Sequence, residues 1–133
     1  MSSNKKLLFD THAFLAFFNR EDGSEKIKEL MDRVQSGSAE GFVATISLTE
    51  LTYIYSIRSD AATANLRTMQ ILHSKMKTVS LTPEIAMQAG TLKRPGISVA
   101  DAIIAASALS VGASVVTSDP HIAAMGVHVI GYH

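Results

Sequence analysis

Four acidic residues stand in apolar sequence, where a carboxylate is costly to bury: Asp10 in LLFDTHAF, Glu50 in ISLTELTYI, Asp101 in ISVADAIIAA and Asp119 in VVTSDPHIA. Buried carboxylates demand partners. Clustered within a few ångströms they raise one another's pKa unless a cation joins them, and an oxygen-rich cluster of this kind suits Mg²⁺ or Mn²⁺. The other eight of the twelve acids need no such role. Glu21, Asp22, Glu25, Glu29, Asp32, Glu40 and Asp60 lie in polar stretches, and Glu84 opens a helix behind Thr82-Pro83. Each of the four also has a purely structural reading. Asp10 and Asp119 suit helix N-caps, while Ser47 to Glu50 and Ser98 to Asp101 have the spacing of a capping box.

For four separated acids to act together, the chain must bring them to one place. Apolar periodicity predicts strands over 7–9, 42–46, 78–81, 114–117 and 127–130. It predicts helices over 11–18, 24–34, from Ser47 to near Ser59, 61–75, from Thr82 to before Arg94, and 99–109, with a short helical turn after Asp119-Pro120. The 99–109 helix is apolar nearly all round and belongs at the centre. Short apolar strands alternating with helices give an α/β class, a three-layer α/β/α sandwich with a parallel sheet of about five strands. Ligands on such sheets collect beyond the carboxyl ends of the strands. Asp10, Glu50 and Asp119 each follow a strand closely, so a parallel sheet carries all three to that edge, and the helix bearing Asp101 closes the group.

Composition bounds the chemistry. At 133 residues with 47% hydrophobic and 18% charged residues, the chain reads as one domain over 1–133 with a packed core. Twelve basic residues balance twelve acidic ones, so no overall positive field gathers nucleic acid, and any such contact must be local. Without cysteine there are no disulfides, thiolate metal sites or cysteine nucleophiles. The opening MSSNKKLLFD lacks the apolar core of a signal peptide and no run reaches the length of a membrane span, so a cytoplasmic location is expected.

At this point the sequence resembles a family. DTHAFLAFF with Asp10, TELTYIY with Glu50, SVADAIIAASAL with Asp101 and VVTSD with Asp119 are similar to the successive acidic motifs of the PIN-domain nucleases, in order and across nearly the whole chain. The size and the DTH opening are similar to the VapC toxins of toxin–antitoxin pairs. The resemblance implies a metal-dependent endoribonuclease that uses Mg²⁺ or Mn²⁺ to cut RNA, forms a homodimer and is restrained by a cognate antitoxin. It implies that Asp10 and Asp101 are the most direct metal ligands, with Glu50 and Asp119 holding metal-bound waters or a second ion. Thr11, Thr117 and Ser118 supply hydroxyls near the same edge that can orient carboxylates or water. The chain departs from many relatives at Ser118, where they carry a basic residue, and at His12, where they often carry Asn.

The remaining polar residues carry weaker signals. His12 and His121 lie two residues from Asp10 and Asp119, but imidazole is a poorer donor than oxygen for a hard cation. Lys93, Arg94, Arg20 and Arg58 are possible phosphate contacts, with solvated surface charge the simpler reading. Tyr53, Ile54, Tyr55 and Ile57 make their helix more apolar than one core face requires, which suits either deep burial or a dimer surface. Haloacid-dehalogenase chemistry needs an acid where His12 stands, a receiver domain needs an acidic pair after the first strand, and no glycine-rich phosphate loop occurs. The competing non-enzyme reading is a degenerate PIN-like module that binds RNA or a protein without cutting.

Overall fold

The computed structural model describes residues 5–133. Its elements, in chain order, are β1 (Lys5–Phe9), α1 (Thr11–Phe18), α2 (Ser24–Ser36), β2 (Ala39–Ala44), α3 (Thr45–Arg58) and α4 (Ala61–Leu72), followed by β3 (Lys77–Val79), α5 (Pro83–Leu92), α6 (Val99–Val111), β4 (Ser114–Val116), α7 (Pro120–Ala124) and β5 (Val129–Ile130). The five strands form one sheet in the order β3-β2-β1-β4-β5, with every neighbouring pair parallel. Among the described residues no helix is long and apolar enough to cross a membrane.

Side chains alternate across a strand, and here that alternation builds two cores. Leu7 and Phe9 of β1 point into the layer with Phe14, Ile27, Leu51 and Ile71, whereas Leu8 between them joins Ile85, Ile104 and Ile122 on the opposite face. Val43, between Phe42 and Ala44, and the neighbours Val115 and Val116 split in the same way. Both sheet faces are therefore covered, which accounts for strands that read as continuous apolar runs. Helix α6 is central as expected: Ala102 to Ala108 are all buried, and Ser107 returns its hydroxyl to the Ile103 carbonyl at 2.7 Å.

Several element ends shift from expectation, and two of the shifts matter for the site and the core. Strand β2 runs from Ala39 and ends at Ala44, and α3 begins at Thr45, two residues before the predicted start. Ser47 is consequently inside the first turn, fully buried, and not a cap; the helix opens at Ala44 with no side-chain cap bond. The capping-box reading of Ser47 and Glu50 fails for that reason. Helix α4 stops at Leu72, three residues short of the predicted end, because His73 turns the chain and the Ser74 hydroxyl donates to the Ile71 carbonyl at 2.6 Å. The other expected caps are present: Thr82 accepts from the Ile85 N–H and Gly112 closes α6 in the left-handed conformation.

After β5 the chain folds back over the α1–α2 loop. Gly23 has φ 87° there, and a Cβ on it would stand 2.5 Å from the Tyr132 carbonyl oxygen, so both its conformation and its lack of a side chain are required. His133 Nδ1 lies 3.3 Å from Asp22 Oδ2 across the same contact. This pins Tyr132, which is buried, beneath the carboxyl edge of the sheet.

Candidate active site

The strand order fixes where the chemistry can sit. The chain winds from β1 outward to β2 and β3, then returns to the other side of β1 for β4 and β5, so the winding reverses between β1 and β4. Beyond the carboxyl ends of two such strands the connections part and leave a crevice. Asp10 directly follows β1, with its N–H donating to the Val116 carbonyl of β4 at 3.2 Å, and Thr117 and Asp119 follow β4. Because α6 feeds a parallel strand, its N-terminus with Asp101 also points to this edge.

Three of the four acids occupy helix starts, where exposed N–H groups and the helix dipole favour negative charge. Asp10 caps α1, its Oδ1 accepting from the Ala13 N–H at 2.7 Å, and Asp119 caps α7, its Oδ1 accepting from the His121 N–H at 2.8 Å. Asp101 lies in the first turn of α6, where the Ser98 hydroxyl accepts its N–H at 3.0 Å. Glu50 lies further along α3 and is approached from β1's side by Thr11, whose hydroxyl donates to Glu50 Oε1 at 2.6 Å. The structural and functional readings of Asp10 and Asp119 are thus compatible. A cap uses one carboxylate oxygen and leaves the second.

Burial and neighbouring charge act together on the acids at this edge. Asp10 is 3% exposed, and burial is the largest influence on its carboxyl, pushing it above its ordinary value of 3.8. The Thr117 hydroxyl and the Ala13 N–H pull it down, and the Asp101 charge pushes it up again. Burial likewise raises Asp101, the Ser98 hydroxyl lowers it, and Asp119 raises it further. Thr117 is doubly engaged: its oxygen accepts from the Asp119 N–H at 3.0 Å while its hydroxyl serves Asp10. His12 and His121 are exposed and within electrostatic range of Asp101. Ser118 donates to the Tyr132 hydroxyl at 3.1 Å.

Among the described residues no group of three or more His, Cys, Asp or Glu side chains is close enough to enclose an ion as they stand. The donor set is all oxygen, with two of its carboxyls, Asp10 and Asp101, held above the ordinary range by burial and by a neighbouring carboxylate. A divalent cation offsets both influences, so the residues fit such an ion.

Two participants lie outside the expected set. Ser47 is fully buried with its hydroxyl 2.9 Å from Thr11 Oγ1, and Tyr132 reaches the edge from the C-terminal tail. Periodicity misassigned Ser47 by starting α3 late, and no local pattern links Tyr132 to the site. The basic candidates are less well placed. Arg58 is eight residues beyond Glu50 on α3, roughly 12 Å along the axis at the helical rise, and Lys93 and Arg94 donate to carbonyls of their own loop. Arg20 lines a cleft between α1, α2 and α4.

The PIN domain model matches residues 7–127. A search of curated protein sequences returns no match. Among solved structures, VapBC2 from Rickettsia felis, bound to a DNA fragment from its promoter, superposes with TM-score 0.79 at 16% identity over 96% of this chain and 99% of that one. DNA-bound VapBC from Salmonella typhimurium gives 0.73 at 22% identity over 97% and 99%. VapC20 of Mycobacterium tuberculosis, described as a Sarcin-Ricin loop cleaving toxin, gives 0.74 at 19% identity over 93% and 98%. At these identities the likeness establishes the fold.

The buried carboxylate carries a stability consequence. A carboxyl raised in the folded state contributes stability that is present below 3.8 and lost as pH rises through the raised value. Ionised Asp10 therefore weakens the metal-free protein at neutral pH. Asp10→Asn removes the charge and retains a capping side chain. In EDTA at pH 7 this variant is expected to melt at or above the parent temperature, with the difference closing as pH falls toward 4. Thermal unfolding across that range checks it, and a variant clearly less stable than the parent at pH 7 contradicts it.

Proposed function

Because the chain belongs to the PIN-domain family, we propose that it is a metal-dependent endoribonuclease and the toxin of a toxin–antitoxin pair. The observation that supports this best is the placement of Asp10, Asp101 and Asp119 at the reversal of the sheet, where burial, with a smaller push from Asp101 on Asp10 and from Asp119 on Asp101, raises both carboxyls above their ordinary value. In this reading Asp10 and Asp101 hold Mg²⁺ or Mn²⁺, while Glu50 and Asp119 orient water beside it. A bound ion supplies Lewis acidity and lowers the pKa of water for in-line displacement at phosphorus. The chain's own contribution is placement. The α1 and α7 caps fix Asp10 and Asp119, Ser98 fixes Asp101, and Thr117 ties the first acid to the last.

The partner is assigned to the cleft of about 880 Å³ between α1, α2 and α4, whose apolar wall includes Phe14, Phe17, Phe18, Met31, Ile71 and Met76. Arg67 also lines it, stacked over Phe18 at 4.9 Å with a buried Nε that has no hydrogen-bond partner. An amphipathic segment of the antitoxin, apolar on one face and bearing a carboxylate for Arg67, matches this lining. Support comes from the VapBC neighbours, which are toxin–antitoxin assemblies. Tyr53 and Ile57 of α3, 64% and 63% exposed, support self-association through a separate apolar surface.

Three outcomes are expected. The purified protein cuts RNA with Mg²⁺ or Mn²⁺, stops in EDTA, and loses at least about 100-fold in rate as Asp101→Asn, the scale of removing one preorganised electrostatic group. Metal-independent RNA binding without cleavage would favour the degenerate binding module instead. Co-expression with the product of the adjoining reading frame yields a complex that Met31→Asp breaks while cleavage persists; an unaffected complex moves the partner off the cleft. Light scattering at tens of micromolar reports a dimer that Tyr53→Glu dissociates, and a parental monomer removes that part of the reading.

A further inference from the structure

Glu50 is the one acid of the four that is not at a helix start. Nothing in the backbone of α3 restrains its carboxylate, and a glutamate side chain has three rotatable bonds to order. What reaches it comes from another element. Thr11, the first residue of α1 and adjacent to Asp10, is 2% exposed, with its hydroxyl 2.6 Å from Glu50 Oε1. The same Oγ1 is 2.9 Å from the hydroxyl of Ser47, which is 0% exposed. A hydroxyl carries one proton. The short contact to a carboxylate is the charge-assisted one and takes the Thr11 proton, leaving Ser47 to supply the proton for its own contact with Thr11.

Ser47 lies three residues before Glu50, on the same face of α3. The chain thus brings a serine and a glutamate from one helix against a threonine from the β1–α1 junction, each within hydrogen-bond distance of its hydroxyl. Two buried hydroxyls at apolar positions are costly unless paired. Valine at 11 and alanine at 47 would fill that space without polar atoms. The pair leaves Glu50 with one oxygen committed and one available.

We propose that Thr11 and Ser47 form a buried hydroxyl relay that positions the Glu50 carboxylate, so that the residue after Asp10 sets the geometry of the second acidic motif. The assignment rests on the nuclease reading above, with Thr11 and Ser47 as positioning residues that do not touch substrate. Groups that orient a metal site in this manner are worth about tenfold to a hundredfold in metal affinity or activity when removed.

The test uses the full chain with Mn²⁺ titration calorimetry, RNA cleavage and thermal unfolding. Thr11→Val removes the hydroxyl at nearly constant shape and is expected to weaken Mn²⁺ binding and lower kcat by about tenfold or more, with KM for RNA little changed. Thr11→Ser retains the donor and should stay within about threefold of the parent. Because Thr11 acts through Glu50, Thr11→Val should cost nothing further in a Glu50→Gln background. If unpaired Ser47 prevents Thr11→Val from folding, Thr11→Val with Ser47→Ala removes both hydroxyls together, with the same loss expected. A folded Thr11→Val with parental kcat and Mn²⁺ affinity overturns the relay, as does an equal loss in the Glu50→Gln background. A parent with no divalent-dependent cleavage overturns the nuclease reading itself, a result distinguishable from either.

Discussion

The structure depends on holding a carboxylate where water cannot reach it. Asp10 directly follows the central strand β1 and is almost wholly buried, so its charge faces a desolvation cost that in proteins amounts to several kcal/mol. The fold offsets that cost with local dipoles. The Ala13 N–H of α1 and the Thr117 hydroxyl address the carboxyl directly. That compensation is partial, since the carboxyl stays above its ordinary range, and the second acid that adds to the repulsion is brought there by a different helix. His12 opposes that push on Asp10, and His12 and His121 together oppose the one from Asp119 on Asp101, while burial remains the largest influence on both.

Topology performs the gathering. In a parallel sheet each helix after a strand begins at the carboxyl edge, and each helix before a strand begins there too. Asp10, Asp119 and Asp101 need only lie close to helix starts to share that edge, even though 91 residues separate Asp10 from Asp101 by their numbering. The reversal of winding between β1 and β4 then opens the space that the acids line. Capping does not compete with the proposed catalytic role at these positions. The cap fixes the rotamer of the side chain through one oxygen, and that restraint is what a preorganised ligand requires.

The sheet, the layer arrangement and the three acids at helix starts were legible because their signals are local. Apolar runs mark the strands, and Asp-Pro, Ser-x-x-Asp and the Asp after Phe9 mark the helix entries. The start of α3 was not legible. Ala39-Glu40-Gly41 has little strand character, and β2 exists there because Lys5 and Lys6 of β1 pair with Ala39 and Glu40, with Lys77 bonded to Glu40 at 2.8 Å. That pairing sets the register, ends β2 at Ala44, and carries Ser47 from a cap into the core. Tyr132 was invisible for a similar reason. Its place at the edge depends on Gly23, more than a hundred residues away in sequence, leaving room for the tail. The cleft between α1, α2 and α4 also arises only from packing.

A module that bound RNA without cutting it would have little use for this edge. Its natural device is a basic surface, since phosphate contacts scale with the number of cations presented. Here the formal charge is zero, Lys93 and Arg94 are turned to their own backbone, and Arg58 stands well along α3 from Glu50. The polar investment is instead at the acids: two caps, a serine hydroxyl for Asp101, a threonine shared by Asp10 and Asp119, and a hydroxyl for Glu50. An anionic edge repels a phosphate backbone unless a cation sits between them. On the reading proposed above, a cation held by these acids carries both the affinity for phosphate and the chemistry, and so places the two together.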